Sequence, residues 1–316
     1  MDKRTQYKIW QAETIANGEN DPEFVTLPYI ADKYKLSTYE RHWLSYLFSA
    51  CYDDTTAWAM FKLIKDQSEE GLEKFWKTNK ARLAFTTDRA KVKNFDKFVP
   101  MTLSYFQVMQ NNPEKTFNTL YGVTPYDTYD NVYKHLNQIY YVGRFTLFLF
   151  TEAIYQLTKF PMLASHIPFE DAQSSANGLC YLLDLEDWII KHGENRRLTK
   201  EQFKYLYKAS AKLLEESQKE YPEVPITNWN METFLCAYKK YFWKTRYKGF
   251  YLDRQLGSIR NAQLQFPELV NDWETFYEAR SGKCDVNYLG EINGWDGIRR
   301  HMMGYPVYPV QKGLDV

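Results

Sequence analysis

The chain has 316 residues, and its 26 Tyr, 20 Phe and 9 Trp against only 14 Gly and 12 Pro exclude disordered, collagen-like and loop-dominated classes. Forty Lys and Arg balance forty Asp and Glu, which argues against a wholesale polybasic nucleic-acid binder but leaves room for local basic surface. Cys51, Cys180, Cys236 and Cys284 form no CxxC pair, so zinc-ribbon and thioredoxin-like motifs are absent.

Taken in chain order, residues 1–36 are polar, carry Pro22 and Pro28, and read as an irregular N-terminal arm. Neither a signal-peptide core nor an apolar run of about 18 residues is present, so the expectation is a reduced, cytoplasmic protein with no membrane partner. Ser37 and Glu40 form a capping box that opens a helix with apolar positions at Trp43, Leu44, Leu47, Phe48 and Cys51. A second helical segment follows a break near Asp53-Asp54. Helices are predicted over 69–84 and 100–110, with Pro100 near an N-terminus, and 111–131 carries most of the turn chemistry. The helical pattern of 132–158 is interrupted at Gly143. Residues 170–192 read as helix, Thr199 and Gln202 cap a helix over 199–220, and further helices are predicted near 230–246 and 266–280. No strand ladder is legible. The fold class is mainly α, with 37–300 forming one large catalytic domain or two helical lobes and 301–316 an irregular tail.

Familiar catalytic signatures are missing from this sequence. There is no P-loop, dinucleotide-binding glycine pattern, HExxH or GxSxG, and the five histidines have no metal-ligand spacing. Asp53-Asp54 is a lone acidic pair, which reads as a solvated helix end or as a metal or substrate ligand.

Three segments depart from the bland pattern. In 140–152, Arg144 and Glu152 flank an uncharged run, so they are paired, lie at a helix end or face a polar cavity. Segments 74–97 and 239–260 interleave basic residues with aromatics, among them Lys93 with Trp76 and Phe85, and Lys239, Lys248 and Arg254 with Tyr247 and Tyr251. Cations hold phosphates and flat rings stack on unpaired bases, so the mixture suits DNA with an extruded nucleotide. The alternative is amphipathic helices whose Lys stems cover apolar surface. In 173–179, the small residues Ser174, Asn177 and Gly178 form either a ligand-admitting patch or a turn.

The sequence Val142-Gly143-Arg144-Phe145-Thr146 resembles the hairpin of helix-hairpin-helix DNA glycosylases, where backbone amides at a helix N-terminus hold a DNA phosphate. Phe145 stands where lyase-type members place a lysine, and Asp171 comes later than the glycosylase aspartate. Asp88-Arg89 with Lys93, Gly143-Arg144 with Glu152, and 247–254 together resemble the amino acid:DNA transferases of bacterial viruses, over about residues 38–300.

That resemblance implies a divergent helix-hairpin-helix glycosylase fold and a hypermodification of thymine in DNA. An amino acid or polyamine displaces pyrophosphate from 5-pyrophosphoryloxymethyl-uracil and forms a C–N bond. The implied partners are double-stranded DNA carrying pyrophosphorylated 5-hydroxymethyluracil and a small amine or amino-acid donor, and the implied compartment is the host bacterial cytoplasm. Arg89, Lys93, Arg144, Lys248 and Arg254 are the candidate phosphate and DNA ligands, with Gly143 at the hairpin. Asp253, then Asp88, are candidate bases, and Glu152 is expected to orient Arg144. Trp76, Phe85, Tyr247 and Tyr251 are candidate stacking platforms. No cofactor is demanded by spacing, although Mg2+ would suit the leaving pyrophosphate. The alternatives are a glycosylase that excises a modified base and a non-catalytic DNA-binding accessory protein.

Overall fold

Asp2, Ser37, Asp53, Ser68, Asn112, Thr124, Thr199 and Thr227 each open a helix by accepting from backbone amides that have no partner of their own. In the computed structural model, residues 2–19, 21–85, 90–191, 193–243, 246 and 249–280 are described. Among them the elements are helical and no strand occurs. They are α1 (Lys3–Ala16), α2 (Glu23–Lys33), α3 (Thr38–Cys51), α4 (Asp54–Leu63), α5 (Glu69–Asn79), α6 (Phe95–Val108) and α7 (Pro113–Asn118). There follow α8 (Pro125–Leu136), α9 (Arg144–Thr158), α10 (Gln173–Leu182), α11 (Lys200–Glu220), α12 (Asn228–Phe242), α13 (Phe250–Gln265) and α14 (Val270–Arg280). Both capping boxes read from the sequence, Ser37 with Glu40 and Thr199 with Gln202, are formed. Thr124 with Asp127 and Thr227 with Asn230 cap α8 and α12 in the same way.

Several expectations change; the helix expected over 170–192 ends at Leu182, and Pro100 lies inside α6 and not near its start. The first 36 residues are largely helical: Asp2 caps α1, Tyr7 is fully buried, and α2 tolerates Pro28 in its interior. The turn-rich stretch 111–131 holds α7 and the start of α8, because Pro113 and Pro125 occupy first-turn positions where a missing N–H costs nothing. Residues 250–265, where the sequence shows no clear element, form α13.

The chain divides into two units. Among the described residues, one comprises those within 1–22 and 166–254, and the other those within 23–165 and 255–280. In the second unit, α3 packs on α9 and α4, and α14 packs on α2, where Tyr29 and Lys33 both reach Glu278. Its core holds Trp58, Trp76, Phe98, Tyr105, Phe117, Phe150 and Trp273, all under 2 % exposed. Burying one such ring contributes on the order of 4 kcal/mol before conformational entropy is subtracted.

The first unit is built on the crossing of α10 with α12, flanked by α1 and α11. Its core includes Tyr7, Phe169, Leu179, Leu206, Leu213, Phe234, Leu235 and Tyr238. A Cβ on Gly178 would lie 1.9 Å from the carbonyl oxygen of Leu235, so the two backbones touch at that point. Asn177 is also structural, its side chain bonding both the N–H (3.0 Å) and the C=O (2.8 Å) of Ile190. The patch at 173–179 is thus a helix contact and not a turn.

Gly143 is the opposite case. Nothing lies within 4 Å of a Cβ built there, and its φ of −87° suits any residue. We therefore expect Gly178→Ala to destabilise the protein by about 3 kcal/mol or more, since backbone cannot yield as a side-chain tip would. Gly143→Ala should stay within about 0.5 kcal/mol of the parent, both read from urea midpoints.

Candidate functional site

The residues nominated by the sequence fall into both units, and each unit is described separately. In the first unit, Gly249 adopts φ +91° and donates its N–H to the buried Glu19 carboxylate at 2.6 Å, which fixes the turn entering α13. The first turn of α13 then carries Tyr251, Asp253 and Arg254. Asp253 is buried, 2 % exposed, and its N–H donates to the Gly249 carbonyl at 3.0 Å. A carboxylate in a first helical turn is favoured by the partial positive charge there. Arg254 is partly exposed beside it. Burial, then the neighbouring Cys236, hold the Tyr251 phenol above its ordinary range, while Arg246 and Arg254 pull it down. Arg246 stacks its guanidinium 4.0 Å over Phe250. Tyr247 and Lys248 lie outside the described residues.

Lys239 belongs by sequence to a basic and aromatic segment, but in the structure it is not on the surface. It is 5 % exposed, and its Nζ donates to the Ser174 carbonyl and lies 2.6 Å from Ser174 Oγ. Ser174 Oγ is in turn 2.8 Å from the sulfur of Cys236, which is partly accessible. Among the described residues no carboxylate forms an ion pair with Lys239. Burial lowers its pKa from the ordinary lysine value. The sequence held one clue: Cys236 and Lys239 are three apart, on one face of α12.

In the second unit, Gly143 is the exposed N-cap of α9 and contributes no side-chain cap. Arg144 is exposed on the first turn. Glu152 is buried two turns further along, about 12 Å by helical rise, close enough to Tyr129 of α8 to raise that phenol. The structure brings Glu152 to the α8–α9 interface, away from the helix end where Arg144 sits. Tyr140 and Tyr141, 65 % and 50 % exposed, flank the same turn, and Lys97 lies 5.9 Å over the Tyr141 ring.

Trp76 is 1 % exposed and stacks on Phe98 at 4.7 Å, so it is a core ring and not a surface platform. Phe85 is partly exposed, 6.2 Å from Trp76, and Lys93 is also partly exposed. Asp88 and Arg89 lie outside the described residues. Of the cations in 74–97, Arg82 is committed internally to the Gln265 carbonyl and Glu268, at 2.7 and 2.5 Å.

The Asp53-Asp54 pair is neither solvated nor a metal site among the described residues, which hold no group of three or more potential ligands. Asp53 caps α4, accepting from the Thr56 N–H at 2.8 Å and from the Thr55 and Ser258 hydroxyls at 2.7 and 3.1 Å. Asp54 accepts from the Thr55 N–H and Gln255 Nε2 at 2.9 and 2.6 Å. Burial, then the charges of Glu23 and Asp53, hold the Asp54 carboxyl well above its usual range. His42, stacked 4.3 Å on Phe117, is pushed down to about 4 by burial and is a neutral core residue.

A family model described as Amino acid:DNA transferase matches residues 28–247. The chain is also similar to a protein named Serinyltransferase from Salmonella phage ViI, at 24% identity over 260 residues. The match covers 76% of this chain and 62% of that relative, so the chain spans less than two thirds of the relative's length.

Because burial holds the Asp54 carboxyl above its unfolded value, Asp54 binds its proton more tightly in the fold and lowers stability as pH rises above the unfolded carboxylate value near 4. The urea midpoint of the parent protein should therefore fall relative to that of Asp54→Asn between pH 4 and 7. Parallel curves would mean that Asp54 is ionised in the fold.

Proposed function

The chain belongs to the amino acid:DNA transferase family, and from that premise we propose that it attaches an amino acid or polyamine to a modified thymine in DNA. The acceptor is 5-pyrophosphoryloxymethyl-uracil. The donor nitrogen forms a bond to the base methylene as the methylene–oxygen bond breaks, and the electron pair leaves with pyrophosphate. The observation that carries the reaction class is the family match over residues 28–247. No described helix is long and apolar enough to cross a membrane, and the phage origin of the relative supports work in the cytoplasm of an infected bacterium.

In this reading the head of α13 supplies the chemistry. Asp253 takes the proton of the incoming ammonium, and Arg254 neutralises charge on the departing pyrophosphate through two parallel N–H donors. Tyr251 stacks the extruded base. The turn at Gly143 belongs to the DNA backbone, with amides of α9 and Arg144 on a phosphate, as in a helix-hairpin-helix. The open space at Gly143 supports this assignment: the fold makes no demand for glycine there, so a demand would come from a closely approaching ligand. Lys93 and Phe85 extend the contact, and Asp88, Arg89, Tyr247 and Lys248 keep the roles that the family resemblance implies. Magnesium would assist the leaving group.

The test is a transfer assay on DNA bearing the pyrophosphorylated base, with serine, glycine, glutamate and putrescine supplied and the nucleosides weighed after digestion. An amino-substituted thymidine is the expected product. Asp253→Asn and Arg254→Ala should each reduce its formation at least 100-fold with helical circular dichroism unchanged. Gly143→Ala should weaken DNA binding while leaving stability intact. Released free base would establish a glycosylase instead, and bound but unchanged DNA would establish an accessory protein.

A further inference from the structure

The crossing of α10 and α12 sets three reactive side chains in a row: Cys236 Sγ, Ser174 Oγ at 2.8 Å, and Lys239 Nζ at 2.6 Å from that hydroxyl. The geometry is that of an activated nucleophile, with an attacking atom at the accessible end, a relay, and a base at the buried end. Lys239 is 95% buried, and its only described hydrogen-bond partners are the carbonyl and hydroxyl of Ser174. Neither is an anion, so nothing in direct contact offsets the desolvation of an ammonium. The groups within electrostatic reach of Lys239 lie on its own helix: Cys236 and Glu232 favour its charge and Lys240 opposes it, while burial outweighs each of them. A free-base lysine can accept the Ser174 hydroxyl proton on its lone pair while an Nζ–H holds the Ser174 carbonyl.

We propose that Cys236, relayed through Ser174 to Lys239, is a covalent nucleophile toward an electrophilic carbon. Its substrate class follows from the reading under Proposed function, on which this part rests: the base methylene that carries pyrophosphate. The Sγ proton passes to Ser174 Oγ as the Ser174 proton passes to Nζ, leaving a thiolate and an ammonium. The sulfur–carbon bond then forms while the carbon–oxygen bond breaks, and the electron pair departs with pyrophosphate. The donor amine, deprotonated by Asp253, attacks the same carbon. The carbon–sulfur pair returns to Cys236, which regains its proton from Lys239 through Ser174. Tyr251, close enough to Cys236 to sense its charge, is positioned to hold the base beside the sulfur.

Two measurements on the full chain test this. The first is the rate of iodoacetamide alkylation at Cys236 at pH 7, followed by peptide mass spectrometry, with glutathione as the free-thiol standard. The expected rate exceeds that of glutathione by about 10-fold or more and falls by a similar factor in Lys239→Met and in Ser174→Ala. Two variants are used so that a folding defect in one, seen by circular dichroism, leaves the other to decide. A Cys236 rate indifferent to both changes overturns the proposal.

The second omits the amine and supplies pyrophosphorylated DNA. A detergent-resistant protein–DNA adduct at Cys236, with one equivalent of pyrophosphate released, is expected and should be absent from Cys236→Ser. Transfer at the parent rate by Cys236→Ala would overturn the covalent step while leaving the transferase reading intact. Absence of any transfer by the parent protein would defeat that reading and the DNA substrate with it, and the alkylation rates would then decide the cysteine site alone.

Discussion

At Gly178 the backbone of α10 rests directly on the carbonyl of Leu235 in α12, closer than any side chain would permit. One turn before Gly178 in α10, Ser174 meets Cys236, which follows Leu235, and Lys239, one turn further along α12, and the same core takes in Leu179, Phe234 and Tyr238. The glycine thus acts at a distance of one helical turn: it sets the spacing at which a serine hydroxyl bridges a thiol and an amine. A residue with a side chain at 178 would move the helices apart and open both hydrogen bonds at once.

The second unit solves a different problem, that of burying charge. Asp53, Asp54 and His42 all lie inside it, and each is accommodated by a different device. Asp53 keeps its place by capping α4 and accepting from two hydroxyls. Asp54 accepts from the Thr55 N–H and Gln255, with its carboxyl held well above the usual range, and His42 is kept neutral and stacked on Phe117. These are structural solutions, which is why the acidic pair does not serve as a metal ligand set among the described residues. The exposed turn at Gly143 contrasts with this interior, since Tyr140 and Tyr141 beside it are exposed.

Membership of the amino acid:DNA transferase family gives these two arrangements a common chemical setting. Under the proposed function, a reaction that expels pyrophosphate from a DNA base needs cations for the leaving group, a base for the donor ammonium and a hold on the DNA backbone. Arg254, Asp253 and the turn at Gly143 are offered for these tasks in that order.

The sequence by itself determined the helical class, most helix positions and the family resemblance, because these rest on signals within one or two turns of chain. Capping at Ser37 and Thr199 is local chemistry, and so is the break at Gly143. Periodicity could not reveal α1, because its apolar face is sparse and its buried residues include Gln11 and Thr14. It also left α13 unassigned, since the basic and aromatic residues of 239–260 mask the pattern. Burial was the larger gap. Lys239 and Trp76 resemble surface ligands when read along the chain, and only the packing of distant segments against them decides otherwise. The Ser174–Cys236–Lys239 row joins residues more than sixty positions apart in sequence. Proximity of that kind is a property of how two helices cross, and the tertiary structure alone supplies it.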